Sequence, residues 1–393
     1  MPIVTGPSWM GLDDAMLRVS WPEANARRLS RQFHRTTSPA GAVHQMLAAQ
    51  AQVASAAEVS IALRLSSGRC ADVRSALAGG ELIRAAGLRG TIHTVAADDL
   101  ALWVGVFGSM PSARWPGRGD LEPSPEEVDR LCAAIGAAVS EETEPLTLDE
   151  LHEGVVARAG AWAGEPVMPA FQTMWPRWRL VQAVAARRGL LSFGPNRGRA
   201  VTFAAPPAFE AVEPEDAVAV LLDRYLRAYG PSTPAAYAKW HAAPIGWANR
   251  TFEALAAQGR IAQVDFDGIP AWLARDDVDF AVEPPLGVLL LPYFDALAIA
   301  AYPRERFFPG RASERALAGG QAGNFPVVLL DGEVAGVWHQ RKAGRRVRIT
   351  VEMLDPLPRS RRAELESAVA HLGVLQDLQP DLVLGEVTTG PHA

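Results

Sequence analysis

The stretch VAARRGLLSFGPNRGRAVTFA, residues 184–204, contains a helix end, a stop signal and two short apolar segments. The Ala-rich helix is stopped by Gly189, because glycine is the usual residue just beyond a helix C-terminus. Two apolar segments separated by a glycine-containing turn predict a β-hairpin. Helices followed by a two-stranded hairpin are typical of a winged helix-turn-helix unit.

The same pattern occurs twice more, as ALAGGELIRAAGLRGTIHTVA at 76–96 and LAAQGRIAQVDFDGIPAWLA at 255–274. Each copy has its own stopping glycine, at Gly80 and Gly259. Helices with recognisable N-terminal signals precede the three copies, and the signals are Ser38 with Pro39, Thr147 with Glu150, and Ser232 or Thr233 with Pro234. Three tandem winged helix-turn-helix units are therefore predicted.

The character of the chain changes beyond about residue 285, where short strand candidates are separated by Asp-Gly or Gly turns. A single amphipathic helix is predicted at 360–373. We therefore predict an α+β fold, with three tandem winged helix-turn-helix units and a mostly β C-terminal domain that scaffolds them. The predicted boundaries are 25–118 for the first winged unit, 119–208 for the second, 209–283 for the third and 284–393 for the C-terminal domain.

Composition narrows the class of protein. The chain has 393 residues, with no basic N-terminal region before an apolar stretch and no apolar segment of membrane-spanning length. We expect a soluble cytoplasmic monomer. Cys70 and Cys132 are too few for a disulfide framework or a metal cage, and each is expected to be a small buried apolar residue rather than a nucleophile. No metal-ligand spacing and no glycine-rich phosphate loop after a strand is found, so no metal or cofactor is expected.

Charge is unevenly distributed although the formal net charge is only −6. Residues 119–157 are strongly acidic, whereas 158–203, 285–350 and the segment ARRLSRQFHR at 26–35 are rich in arginine. Segregated basic faces suit binding of DNA phosphates, and solvated arginines that bind nothing are the alternative. The candidate phosphate contacts are Arg197, Arg199, Arg341, Lys342, Arg345 and Arg346.

Two glutamines in QMLAAQAQVAS, residues 45–55, are the least expected polar residues of the first unit. Helical spacing from Pro39 predicts that Gln50 lies on the apolar face of a helix, where an unpartnered amide is costly to bury. Gln52 would point about 200° away on the same helix. Either the backbone leaves helical geometry near Ala51 and both amides enter one cavity, or the two residues are unrelated.

Together these features resemble the AlkZ/AlkX family of bacterial winged-helix DNA glycosylases, over roughly residues 25–385. The resemblance rests on the three units and on segments such as LAAQAQVASAAEVSIALRL, LRGTIHTVAADDL, VLLLPYFD and LLDGEVAGVW. It implies a concave surface that holds double-stranded DNA, with a Gln–aliphatic–Gln motif at its centre, and Gln50 and Gln52 match that motif. It also implies excision of bulky N7-alkylguanine adducts, as self-resistance to a DNA-alkylating natural product.

The resemblance assigns Gln50 and Gln52 the positioning of a water molecule, for which an amide carbonyl is suited. The only lysines are Lys239 and Lys342. Neither neighbourhood in the sequence suggests a desolvated amine for a Schiff base, so a monofunctional glycosylase is expected. The alternative is a non-catalytic winged-helix DNA-binding protein, either a regulator or a drug-sequestering protein. Three winged units in one chain favour an asymmetric clamp over a dimeric regulator.

Three further residues are candidates for supporting roles. His93 is either a structural hydrogen-bonding group on a strand or a residue near the site. Asp295 is either a buried turn-former or an acid that supports the site. His339 and Trp338 precede the basic turn QRKAGRR, which either lies in a DNA groove or only keeps an exposed strand edge soluble.

Overall fold

The computed structural model describes residues 16–111, 121–170, 173–280, 287–317 and 319–389. The described elements form a mixed α+β fold. In the first part of the chain they are β1 (Arg18–Val19), α1 (Trp21–Gln32), α2 (Pro39–Met46), β2 (Ala49–Gln50), α3 (Ala54–Ala62), α4 (Cys70–Ala78), β3 (Leu82–Ala86), β4 (Ile92–Ala96), α5 (Leu100–Ser109), α6 (Pro125–Ser140), β5 (Leu146–Thr147), α7 (Leu148–Ala159), β6 (Pro166–Ala170), β7 (Thr173–Pro176), α8 (Gln182–Arg187), β8 (Ser192–Arg197) and β9 (Ala200–Ala204).

Three helices and one hairpin follow next, and a mixed C-terminal region completes the described chain. These elements are α9 (Pro214–Tyr229), α10 (Pro234–His241), α11 (Ile245–Ala257), β10 (Ile261–Phe266), β11 (Ile269–Ala274), β12 (Val288–Leu291), α12 (Ala296–Ala300), α13 (Arg304–Phe307), α14 (Arg311–Ala316), β13 (Val327–Leu330), β14 (Glu333–Ala343), β15 (Arg346–Met353), α15 (Arg362–Gln376) and β16 (Gln379–Leu384).

The helix starts lie where the sequence predicts them. Ser38 caps α2 by accepting a hydrogen bond from the Gly41 amide at 3.0 Å. Thr147 and Glu150 form the predicted capping box, in which the Thr147 amide donates to the Glu150 carboxylate at 2.7 Å. At α10 the cap is Thr233, because its side chain accepts from the Ala236 amide at 3.2 Å. These caps satisfy backbone donors that the first turn of a helix leaves free.

Each of the three predicted hairpins is present as an antiparallel pair, namely β3–β4, β8–β9 and β10–β11. The stopping glycines act as expected at the helix ends. Gly189 and Gly259 have φ of +70° and +68°, a left-handed conformation that glycine adopts without steric cost. At the first of these ends, the Leu190 amide reaches back to the Ala185 carbonyl at 2.9 Å, which closes the helix.

The first two hairpins share one sheet, and the third hairpin pairs with β1. The first two belong to one six-stranded sheet with the order β2-β4-β3-β8-β9-β5, in which Arg84 of β3 pairs with Phe193 of β8. The third hairpin forms a three-stranded sheet with β1, which runs parallel to β10. The sequence patterns predicted the hairpins, whereas the pairing between units depends on tertiary packing.

The C-terminal region contains a five-stranded sheet with the order β12-β13-β14-β15-β16. Its last two strands are parallel and are connected through α15, which matches the helix predicted at 360–373. The short helices α12, α13 and α14 were not predicted. Each has six residues or fewer, so helical periodicity has too few positions to be recognised.

Buried clusters cross the predicted boundaries between units. One cluster joins Met46 and Val43 of α2 to Trp338 of the C-terminal sheet, and another joins Trp103 of α5 to Trp240 of α10. Helices α6, α7 and α8 have a buried cluster of their own around Trp178. The elements of the predicted first and third units and the C-terminal sheet therefore share buried cores, and the domain boundaries stay predictions.

None of the helices in the described segments combines the length and the apolar character needed to cross a lipid bilayer. Cys70 and Cys132 are both buried and free. Burial raises the pKa of each thiol to about 11, so both stay protonated at neutral pH. The prediction that both are buried core residues is confirmed.

Candidate active site

The helix that begins at Pro39 ends at Met46, so the prediction of a helix that reaches Gln50 is wrong. Leu47 has a φ of +68°, and the chain then enters the short strand β2, in which Gln50 pairs with His93 of β4. Residues two apart in an extended segment face the same side. The two glutamine side chains therefore meet, as in the first of the two alternatives, although the backbone departs from the helix at Leu47 and not at Ala51.

The amides of Gln50 and Gln52 are hydrogen-bonded to each other. Nε2 of Gln50 donates to Oε1 of Gln52 at 2.5 Å, and Oε1 of Gln50 accepts from Nη2 of Arg89 at 2.7 Å. A guanidinium group can only donate, so the contact with Arg89 fixes which end of the Gln50 amide faces Gln52. Gln50 is 6% exposed whereas Gln52 is exposed, so the chain of hydrogen bonds runs from the interior to the surface.

Arg89 is held by a tight turn after β3, where it adopts a left-handed φ of +58°. Its Nη1 donates to the Trp240 carbonyl at 2.7 Å, and its Nη2 lies 3.3 Å from Nε2 of His93. Burial lowers the pKa of Arg89 to about 10, so the group remains charged at neutral pH. The guanidinium therefore connects the glutamine pair, His93 and α10.

His93 is buried and neutral. Burial, followed by the charge of Arg89, lowers the pKa of His93 to about 3. Because Arg89 can only donate, Nε2 of His93 accepts, and Nδ1 carries the proton that faces the Thr91 carbonyl at 3.2 Å. Gly87 makes room for this ring, since a Cβ at residue 87 would lie 2.3 Å from Nδ1. The structure thus places His93 behind Arg89 and away from solvent.

Gln50 and Gln52 border an open cavity of about 300 Å³. Its wall is formed by the turn after β3, by α10, by α12 with the residues that follow it, and by the segment 321–324. The other described residues of the wall are Arg89, Thr91, Ala236, Lys239, Trp240, Phe294, Ile299, Ala300, Ala301, Tyr302, Arg304, Gln321, Ala322 and Asn324. No aspartate or glutamate occurs among these described residues.

Asp295 stabilises the wall of this cavity that is formed by α12. Its carboxylate is fully buried and accepts from both Nη atoms of Arg64, at 3.0 and 3.1 Å. It also accepts from Oγ of Ser60 at 2.6 Å and from the Leu297 amide at 3.0 Å, which caps α12. Asp295 is therefore both a buried turn-former and an acid that fixes α12 beside the cavity.

His339 and Trp338 lie elsewhere. His339 and Lys342 border a different cavity, of about 230 Å³, together with Val53 and Tyr293. Trp338 is 2% exposed, and its indole N–H donates to the Leu291 carbonyl at 2.9 Å, so it is a core residue that cannot stack on DNA. The structure does not bring either residue to the glutamine pair.

The candidate phosphate contacts fall into two groups. Four of them lie exposed around the tip of the β14–β15 hairpin and have no ion pair within the described residues, namely Arg341, Lys342, Arg345 and Arg346. Arg197 instead donates to the Glu150 carboxylate at 2.8 Å, while Arg199 next to it is exposed. Their contact with DNA stays a prediction.

Several of the arginine-rich segments are explained by internal contacts. In the segment 26–35, Arg28 donates to the carbonyls of Gly230 and Pro231, and Arg27 and Arg31 pair with Asp277. The interpretation of these three arginines as a phosphate-binding face is wrong. Arginines of 158–203 likewise pair with acids of 119–157, which removes part of the predicted charge separation; the pairs are Arg158–Glu141, Arg188–Asp129 and Arg197–Glu150.

One group of His and Asp side chains lies close enough for metal binding, although no sequence spacing predicted it. Nε2 of His44 lies 2.9 Å from Asp98 and 3.5 Å from Asp99. Arg224 already donates to Asp99 at 2.6 Å. We therefore interpret this group as a partly buried polar network in which Arg224 already occupies Asp99.

Sequence reasoning missed Arg89, Lys239 and Arg304, which lie far apart in the chain and meet only at the cavity. Lys239 is exposed on α10, and partial burial followed by the charge of Arg304 lowers its pKa. The expectation that no lysine forms a Schiff base stays a prediction. No local pattern identifies these residues, because their proximity depends on the pairing of β2 with β4 and on the packing of α10 against α12.

Comparison with known proteins places the chain in a family of DNA-repair proteins. The sequence profile described as DNA glycosylase AlkZ-like matches residues 43–374, and the chain belongs to this family. An interstrand DNA cross-link repair glycosylase of Streptomyces sahachiroi is 27% identical over 337 residues, which cover 82% of this chain and 88% of that protein. The structure is similar to that of Streptomyces sahachiroi DNA glycosylase AlkZ, with a TM-score of 0.73, 25% identity, and coverage of 93% of this chain and 100% of the other.

Proposed function

We propose that the protein is a monofunctional DNA glycosylase that hydrolyses the N-glycosidic bond of bulky N7-alkylguanine adducts. The observation that carries this proposal is the hydrogen-bonded pair of Gln50 and Gln52 at an open cavity, oriented by Arg89. We interpret residues 50–52 as the Gln-x-Gln motif of the AlkZ branch. We further interpret the three groups of helices with hairpins as tandem winged helix-turn-helix units that together hold duplex DNA.

The residues of the cavity suit the hydrolysis of a glycosidic bond whose leaving base departs easily. Glycoside cleavage normally uses two carboxylates, and the described wall of the cavity has none. An N7-alkylated guanine already carries a positive charge, so its bond to the sugar is weak and the protein has less to supply. Holding a water near C1′ and stabilising the positive sugar with carbonyl oxygens are then the main contributions.

The geometry of the two amides indicates how they act. One lone pair on each carbonyl oxygen is used, because Gln50 accepts from Arg89 and Gln52 accepts from Gln50. The second lone pair of each oxygen is left to accept from the attacking water or to face the sugar. Arg89 keeps both carbonyl oxygens in this orientation, so the site needs little reorganisation during the reaction.

The relative also bears on the proposed biological role. An interstrand DNA cross-link repair glycosylase at 27% identity supports a damaged DNA duplex as the substrate. We propose that the biological purpose is self-resistance to a DNA-alkylating natural product. A non-catalytic DNA-binding protein, as a regulator or as a drug-sequestering protein, is the alternative.

Excision by variants of the glutamine pair tests the proposal. Gln50→Ala and Gln52→Ala should each slow the single-turnover release of a bulky N7-alkylguanine by ~10–1000-fold, with lesion-DNA affinity nearly unchanged. The double variant should lose less than the product of the two factors, because both amides act on one water. Abasic sites are counted after alkali treatment.

The matched control is Gln258→Ala, which removes an exposed glutamine at the end of α11. It should excise at the wild-type rate. Excision by the double variant at the wild-type rate would contradict a catalytic role for Gln50 and Gln52. If the wild type binds adducted DNA tightly yet releases no base from several bulky adducts, the non-catalytic alternative is correct.

A further inference from the structure

Three cations, Arg89, Lys239 and Arg304, line the cavity beside the glutamine pair, and none of its described wall residues is an acid. Many other arginines of the described chain form ion pairs, including Arg306, which follows Arg304 closely on α13 and pairs with Asp267 at 3.1 Å. Within the described residues, none of the three cavity cations has a carboxylate partner. The cavity is therefore a concentration of uncompensated positive charge.

The contacts of the three side chains leave donors available. Arg89 is occupied by Gln50 and by the Trp240 carbonyl. Arg304 donates through Nη1 to the Gly320 carbonyl at 2.8 Å and through Nη2 to the Ile299 carbonyl at 3.5 Å, while its buried Nε has no partner within the described residues. Lys239 is exposed on α10 and makes no hydrogen bond within the described part of the chain.

The charges also act on each other. Burial lowers the pKa of Arg304, and burial together with the charge of Arg304 lowers the pKa of Lys239. Like charges that are partly desolvated and have no carboxylate among the described wall residues raise the free energy of the cavity. A negatively charged ligand would relieve both effects, whereas a cationic ligand would add to them.

We propose that this cavity binds a phosphodiester group of the DNA backbone next to the lesion, through Lys239 and Arg304, while the cationic lesion base stays outside. This inference rests on the proposed glycosylase function. A phosphodiester is the anion that duplex DNA offers, and charge-assisted bonds from Lys and Arg are its usual partners. An N7-alkylguanine is positively charged, so the same cavity repels it.

The bound phosphate would also take part in the reaction electrostatically. As the glycosidic bond breaks, positive charge moves from the base to the sugar. The described wall of the cavity offers no carboxylate to face that charge. A phosphodiester held beside Gln52 places anionic oxygens next to the sugar, and Lys239 with Arg304 fixes their position. The DNA itself would then supply the anion that other glycosidases provide from a side chain.

The test uses duplex DNA that contains a tetrahydrofuran abasic analogue, which the enzyme cannot hydrolyse. One backbone linkage at a time is replaced by an uncharged methylphosphonate. Wild-type affinity should fall about tenfold at one or two linkages adjacent to the analogue and little elsewhere. The variant with both Lys239→Gln and Arg304→Gln should bind the unmodified duplex more weakly, with a salt slope lower by about two. It should lose no further affinity at those linkages.

Two variants guard against misfolding and general charge effects. Lys239→Gln alone changes an exposed side chain and should remove part of the sensitivity to the same linkages. Arg306→Gln removes a neighbouring arginine that is paired with Asp267, and it should keep the full wild-type sensitivity.

Methylphosphonate substitution could reduce the DNA affinity of the wild type and of the double variant equally at every linkage. That result would overturn the proposed phosphate site. Excision by the wild type, measured in parallel on an N7-alkylguanine duplex, separates this failure from failure of the proposed function. Normal excision with equal losses overturns only the phosphate site. Absence of excision overturns the proposed function and this inference with it.

Discussion

A single guanidinium sets the direction of both amides at the cavity. Arg89 donates to Gln50, and Gln50 can then only donate to Gln52. Without that contact each amide could rotate by half a turn at little cost, and the carbonyl oxygens would no longer point in one direction. Arg89 is therefore a positioning residue whose effect reaches the exposed amide of Gln52 through a buried one.

The amine of Lys239 should not form a covalent intermediate with abasic DNA. An ammonium group in contact with a phosphate is protonated, and a Schiff base requires the neutral amine. We expect no adduct when the wild-type protein, duplex DNA with a natural abasic site and borohydride are incubated together and analysed on a denaturing gel. An adduct that forms with the wild type and disappears in Lys239→Gln would contradict the proposed monofunctional activity.

At this scale the sequence allowed only part of the site to be predicted. Gln50 and Gln52 stand out because amides among alanines and leucines need partners. Their partner Arg89 does not stand out, because arginine at a turn is ordinary and its left-handed φ is not visible in the sequence. The contact arises from the register that pairs Gln50 with His93.

At the scale of elements, one buried ion pair connects α3 to α12. Both side chains of the Arg64–Asp295 pair are fully buried. Arg64→Met should lower the free energy of unfolding by about 3–5 kcal/mol, because it leaves the Asp295 carboxylate buried without its partner. Urea denaturation at neutral pH measures the change.

The control for this variant is Arg69→Met, which removes an ion pair to Asp377 that is exposed on both sides. It should change the free energy of unfolding by less than about 1 kcal/mol. Similar small changes in the two variants would contradict a stabilising role of the Arg64–Asp295 pair.

The basic tip of the β14–β15 hairpin should contribute to DNA affinity to the same extent for any DNA base sequence. Replacing Arg345 by alanine should lower the salt slope of DNA binding by about one. Arg348→Ala, on the same hairpin, removes an arginine that is 3.6 Å from Asp381 and should have a smaller effect. The salt slopes are measured by binding titrations between low and moderate salt. Equal slopes for both variants and the wild type would contradict a contact between the hairpin tip and DNA.

Elements whose signals are local were predictable, and elements defined by long-range contacts were not. The caps at Ser38 and Thr147 and the glycine stops are encoded within four or five residues. The early end of α2 is different, since Ala-rich sequence after Met46 is compatible with a helix. Backbone pairing with β4 offers an alternative to further helical hydrogen bonds, and the chain adopts it.

Across the whole molecule, buried histidines should make stability fall in acid. Burial lowers the pKa of His93 and of His241 to about 3, whereas an unfolded histidine titrates near 6.5. Between these values the unfolded chain binds protons that the folded chain does not. The free energy of unfolding should therefore decrease as the pH falls from about 6.5 towards about 3.

His241→Phe tests this at one position, because neither ring nitrogen of His241 has a hydrogen-bond partner among the described groups. Between pH 7.5 and 5.5 the wild type should lose about 1 kcal/mol more of its free energy of unfolding than the variant does. Urea denaturation at the two pH values provides the comparison, and equal losses would contradict the prediction.

The cavity draws its wall from segments near residues 50, 90, 240, 300 and 324. A ribosome that adds about 5–20 residues per second releases the glutamine pair many seconds before the last of these segments. No nascent chain that ends before residue 324 contains all the described residues of the pocket wall. The complete pocket should therefore form only after residue 324 has been synthesised, and two fragments divided between residues 241 and 287 would have to reassociate to form it.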